Sequence, residues 1–241
     1  MELLFSGSVS KEYNHENEDV FDIGFIEHGV RIALSDGATV SYDSKEWAKI
    51  LVNYFIKNGE LSGFDIKKII KIYYSSRFCF KDMTPIQKRG LIYGSFATIL
   101  GVEYSFADNF IKVFAIGDSI AVLLDGEKLI ETFPYSLSAQ FKKPPQMLST
   151  KKRNNFFFSY AKDRSKFYKV WKLQNISYPI LLCMTDALGE WALRETKRGN
   201  DKVWREILSV CSAKEFIRFV WNKRDNHTIK TDDTTLISIR L

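Results

Sequence analysis

A chain of 241 residues suits one large domain or two small ones, and 45% hydrophobic residues, with 19 Phe, 11 Tyr and 5 Trp, can fill a sizeable core. The net charge of +6, from 35 basic and 29 acidic residues, is spread along the chain, which reads as a solvated surface and argues against nucleic acid as a partner. Cys79, Cys183 and Cys211 make neither a disulfide framework nor a zinc knuckle, and no signal peptide or membrane-length apolar run is apparent, so the expectation is a cytoplasmic protein with no membrane partner.

Leu3 to Ser8 reads as a first strand, Lys11 to Asn17 as a polar loop, and Val20 to Ile26 as a second strand. The tight turn Glu27-His28-Gly29 leads into a third strand that ends at Asp36. Paired in simple register, this hairpin brings Glu18 and Asp19 near Asp36. A helix follows, with Asp43 and Glu46 at capping-box spacing. Trp47, Ile50, Leu51, Tyr54 and Phe55 then recur as one buried helical face, and Ile66, Ile69, Ile70, Tyr73 and Tyr74 repeat the pattern in a second helix. Tyr93 to Phe106 turns strand-like. Phe110 to Ile116 is a strand ending in Gly117-Asp118-Ser119, Ile120 to Leu124 is the next, and Asp125-Gly126 is a hairpin signal into Glu127 to Phe133. These strands read as one meander in a largely antiparallel sheet.

Pro134 to Asn155 is the least regular stretch and holds the basic clusters Lys142-Lys143 and Lys151-Lys152-Arg153. It reads as an excursion over the sheet, with strands resuming at Asn155 to Tyr160 and Lys166 to Leu173. Pro179 to Met184 is continuously apolar, hence a central strand, and runs through Thr185-Asp186 into a helix carrying Glu190. Two more helices follow, one with Val203, Trp204, Ile207 and Leu208, the other capped by Ser212 and Glu215. Thr231-Asp232-Asp233 precedes the last strand, where Thr235, Ile237, Ile239 and Leu241 alternate to one face. The order of elements predicts an α+β fold, antiparallel sheets covered by helices.

Glu18, Asp19, Asp36, Asp118, Asp186 with Glu190, and Asp232 with Asp233 all sit where apolar runs meet turns. Crowded carboxylates repel unless protons or cations bind them. With no zinc-like His or Cys spacing, an oxygen-only set points to Mg²⁺ or Mn²⁺. On the residues alone, a two-metal hydrolase site and a set of scattered caps and turns both remain open.

Asn17-Glu18-Asp19, Ser35-Asp36-Gly37, Gly94-Ser95-Phe96-Ala97-Thr98, Gly117-Asp118-Ser119, Thr185-Asp186-Ala187-Leu188 and Asp232-Asp233-Thr234-Thr235 occur in the order and approximate spacing of one family. The chain resembles, over essentially its whole length, the metal-dependent protein phosphatases (type 2C, PPM family), in a compact bacterial form. The resemblance implies a single domain over residues 1–241, a four-layer αββα sandwich, and hydrolysis of phosphoserine and phosphothreonine in proteins by a metal-activated hydroxide. It implies two core Mn²⁺ or Mg²⁺ ions and a weaker third. Asp36 would bridge the core pair, and the Gly37 carbonyl would bind one of them. Asp186 and Asp232 would complete one shell; Asp36, Asp186 and Asp232 are thus the catalytic set. Glu18 would face the other ion through water, and Asp19 would orient the ligands. Asp118 would serve the third ion with Asp186 and Glu190, and Asp233 would lie behind the ligands. Phosphorylated proteins and a cognate Ser/Thr kinase are the implied partners.

Two positions depart from the family pattern. Asn14 stands where many members have a phosphate-holding Arg, and Ala38 where many have a His that serves as general acid. His15 reads as a surface loop residue. A phosphatase-like regulatory module that binds phosphoproteins with little turnover therefore stays open beside the enzyme.

Overall fold

The computed structural model describes residues 1–39, 41–75, 83–159, 163–200 and 202–241; Cys79 and Tyr160 fall outside them. In chain order the elements are β1 (Glu2–Val9), β2 (Asp19–Ile26), β3 (Gly29–Asp36), α1 (Ser44–Asn58), α2 (Gly63–Ser75), α3 (Pro85–Tyr93), β4 (Phe96–Ala97), β5 (Ile99–Ser105), β6 (Phe110–Ile116), β7 (Ile120–Asp125), β8 (Lys128–Phe133), β9 (Leu148–Ser149), α4 (Phe156–Ser159), β10 (Tyr168–Lys172), β11 (Pro179–Met184), α5 (Asp186–Lys197), α6 (Val203–Leu208), α7 (Ala213–Asp225) and β12 (Thr234–Arg240). This is an α+β fold with two five-stranded antiparallel sheets and a two-stranded one, β4-β9, and it divides into two units.

The first unit comprises Met1–Asp19, Asp118–Pro145 and Lys172–Leu241. Its sheet has the order β1-β12-β11-β7-β8, with the continuously apolar β11 at the centre as expected. Helices α5, α6 and α7 cover it. Trp191, Trp204, Phe216 and Val220 pack against Phe5, Val122 and Leu182, and the Phe5 and Phe216 rings lie 5.2 Å apart. Residues Thr234 to Ile239 of β12 are all buried, so this strand is covered on both faces. The alternation Thr235, Ile237, Ile239 describes only one of them.

The second unit comprises Val20–Gly117 and Gln146–Trp171, with the sheet order β10-β6-β5-β3-β2. The predicted faces of α1 and α2 supply its core through Trp47, Leu51, Phe55, Ile66, Ile69 and Tyr73. Trp47 meets Tyr73 edge-on at 5.7 Å, and its Nε1 donates to the Leu148 carbonyl at 2.9 Å. The excursion thereby gains an anchor, reinforced where β9 pairs with β4.

Several expectations change. β6 pairs with β5 in one sheet and β7 with β8 in the other. The predicted meander is therefore two hairpins, and Gly117-Asp118-Ser119 is the passage between sheets. Asp43 is left-handed (φ 60) and makes no cap with its side chain; its carboxylate accepts from the Tyr73 hydroxyl at 2.9 Å. Asn155 to Ser159 is helical instead of extended. The buried Asn155 amide bonds both the Ser149 N–H and the Ser149 carbonyl, and so closes a turn. Helix α3 was not expected, although Thr84 and Gln87 form a reciprocal capping box with Pro85 following the cap.

The motif Gly94 to Thr98 has a plain mechanical role within its own unit. The Thr98 Oγ1 accepts from the Asp36 N–H at 2.9 Å, and the Thr98 N–H donates back to the Asp36 carbonyl at 2.9 Å. The Ser35 hydroxyl donates to the Thr98 carbonyl, and Gly37 bridges Ala97. The end of β3 is thus clamped. Gly117 has φ +119, and a Cβ there would lie 2.5 Å from the Thr98 Cβ. Gly117→Ala should therefore destabilise the protein by about 1–3 kcal/mol through combined strain and overlap, measured by urea denaturation. Gly126→Asn, at φ +59 with open space around it, should cost less; equal losses would show that the Thr98 contact is not what matters.

Candidate metal centre

In the first unit, four segments meet at the end of β11. The apolar strand stops at Met184, and Thr185 turns extended (φ −77, ψ 168) to open α5, so that Asp186 is the first helical residue. Thr185 also ties strands together: its Oγ1 accepts from the Thr235 N–H at 2.9 Å. The Thr185 hydroxyl donates to Asp19 Oδ2 at 3.2 Å, and the Thr235 hydroxyl to the same oxygen at 2.6 Å. Asp19 is therefore held from two strand ends. Its Oδ1 is buried with no hydrogen-bond partner, as is Asp186 Oδ1.

Asp118 and Asp186 are both buried, with carboxylate oxygens within 4.8 Å of each other. Asp232 is at the margin, with its Oδ1 accepting from the Asp233 N–H at 3.0 Å. The counter-charge is Lys230. Its Nζ forms a close ion pair with Asp186 Oδ2 and a second at 3.0 Å with Asp232 Oδ2.

The carboxylates titrate as crowding dictates. Burial, then Asp186 beside it, pushes Asp118 up to about 7. Burial also holds Asp19 well above the ordinary range, with Asp233 and Asp186 adding to it. Asp186 is raised by burial and by Asp232, although Lys230 pulls it down. Burial works against the Lys230 charge, yet Asp186 and Asp232 hold it above the ordinary lysine range. Oxygen donors, excess negative charge and two unpartnered buried carboxylate oxygens fit a hard divalent cation.

The remaining candidates are placed as follows. Glu18 pairs with Lys11 at 3.1 Å. Asp233 is buried and accepts from the Lys11 N–H at 2.7 Å and the Glu18 N–H at 2.6 Å, which fixes the 11–18 loop against the start of β12. Glu190 is engaged by Arg194 one helical turn on, and Arg194 also donates to the Thr228 carbonyl. Asp36 and Gly37 end β3 in the second unit, in the clamp described above. His15 is exposed, as expected of a loop residue. Sequence reasoning missed Lys230, whose signal was a lysine two residues before Asp232. It also missed the buried Arg224, which donates to the carbonyls of Ser10 and Asp232; nothing local in the sequence announces that.

The raised Asp118 has a thermodynamic consequence for the metal-free protein. Folded, it keeps its proton to about pH 7; unfolded, it loses it near roughly pH 4. The folded state binds more protons across that window, so metal-free stability should fall as pH rises through it. Asp118→Asn should lose less stability than wild type between pH 5 and pH 8 in EDTA, measured by urea denaturation. Equal losses would assign the slope to other groups.

No family model matches the chain, and no curated protein matches it. Solved structures do. A bacterial serine phosphatase aligns with 16% identity and a TM-score of 0.63, covering 98% of this chain and 96% of its own. The serine/threonine phosphatase Stp1 from Staphylococcus aureus aligns with 15% identity and a TM-score of 0.64, over 98% and 94%. RsbX, in complex with magnesium, aligns with 15% identity and a TM-score of 0.51, over 98% and 93%. Among the described residues no helix is long and apolar enough to cross a membrane. The chain has the fold of the bacterial PP2C-type serine/threonine phosphatases.

Proposed function

We propose that the chain is a metal-dependent serine/threonine protein phosphatase acting on phosphoproteins in the cytoplasm, opposite a cognate kinase. The observation that carries this is the set of buried carboxylates, Asp19, Asp118 and Asp186 with Asp232 at their edge, in a fold shared with serine phosphatases. The alignment spans 98% of this chain, which supports treating residues 1–241 as one phosphatase domain.

Asp36, Asp186 and Asp232 are the proposed catalytic set; with the Gly37 carbonyl they would hold two Mn²⁺ or Mg²⁺ ions, Asp36 serving both. Glu18 would serve one ion, and Asp118 with Asp186 and Glu190 would hold a weaker third. The ions would supply the Lewis acidity that activates water at neutral pH and offsets charge developing on the phosphoryl oxygens. The chain's own residues set the geometry. The Thr185 and Thr235 hydroxyls fix one oxygen of Asp19 and leave the other free. Asp233 places Glu18 through its backbone. Glu190 must give up Arg194 to reach a cation, which makes the third site the weakest.

A second reading, a phosphoprotein-binding module with little turnover, is favoured by Asn14 and Ala38 at the family's Arg and His positions. Lys230, which already ion-pairs with two of the carboxylates, adds to that case.

Phosphate release from a phosphothreonine peptide with and without Mn²⁺ separates the two. Wild type should require the ion. Asp36→Asn and Asp232→Asn should each lose at least about 10²-fold in rate, comparable to removing a main electrostatic stabiliser, with thermal melting preserved. Near-wild-type turnover of either variant at saturating Mn²⁺ would sink the two-metal assignment. Wild type that binds phosphopeptide without metal-dependent release would put the binding module in front.

The irregular, basic segment after β8 suits substrate selection, since binding residues favour loops on a rigid scaffold. Neutralising Lys142, Lys143, Lys151, Lys152 and Arg153 together should reduce turnover of a phosphoprotein more than that of an aryl phosphate. Equal reductions would take these residues out of substrate recognition.

A further inference from the structure

Lys230 is the least expected member of the acidic site. Its ammonium ion-pairs with both Asp186 and Asp232, two of the residues proposed above to share a divalent ion. The side chain is 48% exposed, whereas that of Asp186 is 10% exposed, so the charged tip reaches inward from the solvent side. On that side Lys230 itself lines, with Glu190, Arg194, His227 and Thr231, an open groove of about 550 Å³. That groove offers the side chain a solvated place to go.

Asp186 Oδ2 and Asp232 Oδ2 both point at Nζ, while Asp186 Oδ1 is left buried and unpartnered. One ammonium satisfies only part of this demand. A divalent ion carries twice the charge and takes more oxygen ligands. An ammonium and a divalent cation between the same two carboxylates repel each other strongly in a partly buried site.

We infer that the Lys230 ammonium is a tethered counter-ion of the Asp186–Asp232 site, which a divalent cation must displace in order to bind. This rests on the metal-binding reading proposed above. Without metal, Lys230 holds the carboxylates together and stabilises the fold; with metal, its ammonium withdraws to solvent. The chain thus contains an internal competitor that sets the cation concentration needed for loading.

The test uses the full chain, with Mn²⁺ titrated by calorimetry and melting followed in EDTA and in Mn²⁺. Lys230→Met keeps the length and removes the charge, and should bind Mn²⁺ at least about 10-fold more tightly than wild type. It should melt lower in EDTA and gain more from Mn²⁺. Lys230→Arg keeps the charge and should stay near wild type on both counts. If Lys230→Met does not fold in EDTA, refolding it in Mn²⁺ and measuring retention of the ion against a graded chelator gives the same comparison. Equal affinities and equal metal-free melting for wild type and Lys230→Met would overturn the inference while leaving the metal site standing. If neither protein binds Mn²⁺, the underlying reading falls with it; if only Lys230→Met binds, the competition is supported in its strongest form.

Discussion

The constraint on which the first unit depends is the burial of like charges. Asp19, Asp118 and Asp186 are all buried, and carboxylates taken out of water beside one another favour protons or cations. The surrounding groups answer that demand in different ways. Thr185 and Thr235 donate hydroxyls to Asp19. Asp186 sits in the first turn of α5, where the helix dipole favours a negative charge. Lys230 places a formal positive charge directly between Asp186 and Asp232. A core of hydrophobic residues alone would be easier to stabilise, so the acids are best understood as serving a ligand.

Much of this was legible because apolar runs ending in acids are local features. Pro179 to Met184 has no polar residue, so it had to be a covered strand, and the residues after it had to reach the strand's end. The helical faces of Trp47, Leu51 and Phe55, and of Ile66, Ile69 and Tyr73, are visible as periodicity. The division of β6 and β7 between sheets was not legible, because Gly117-Asp118-Ser119 and Asp125-Gly126 are both ordinary turn signals. The two turns differ in surroundings that only the fold supplies: the Thr98 side chain lies against Gly117, and open space surrounds Gly126. Asp43 misled for a similar reason, since its partner Tyr73 lies on another helix. The phenylalanines at 156 to 158 carry strand propensity, but the Asn155 side chain outweighs it with bonds to Ser149.

The site shows the same division between local and distant information. Carboxylate positions are readable because each ends a recognisable run. Their partners are not, because long side chains choose among many neighbours. Glu190 could face Asp186 or Arg194 on the same helix, four residues away in either direction; the structure engages it with Arg194. Asp233 reads as one more acid, yet its carboxylate serves as an acceptor for two backbone amides. Thr98, Thr185 and Thr235 hold the acids in position without being acids themselves.

The backbone on both sides of Lys230 is pinned. The Thr228 carbonyl accepts from Arg194, the Thr228 N–H donates to the Lys223 carbonyl at 2.9 Å, Ile229 is buried, and the Asp232 carbonyl accepts from Arg224. Between these fixed points the half-exposed lysine side chain can turn without the main chain moving. Withdrawal of its ammonium is therefore a side-chain rotamer change and not the opening of a loop. On the competition inferred above, the counter-ion of the site could be exchanged without any demand on its main chain, and the backbone surface offered to a partner would not depend on which cation sits there.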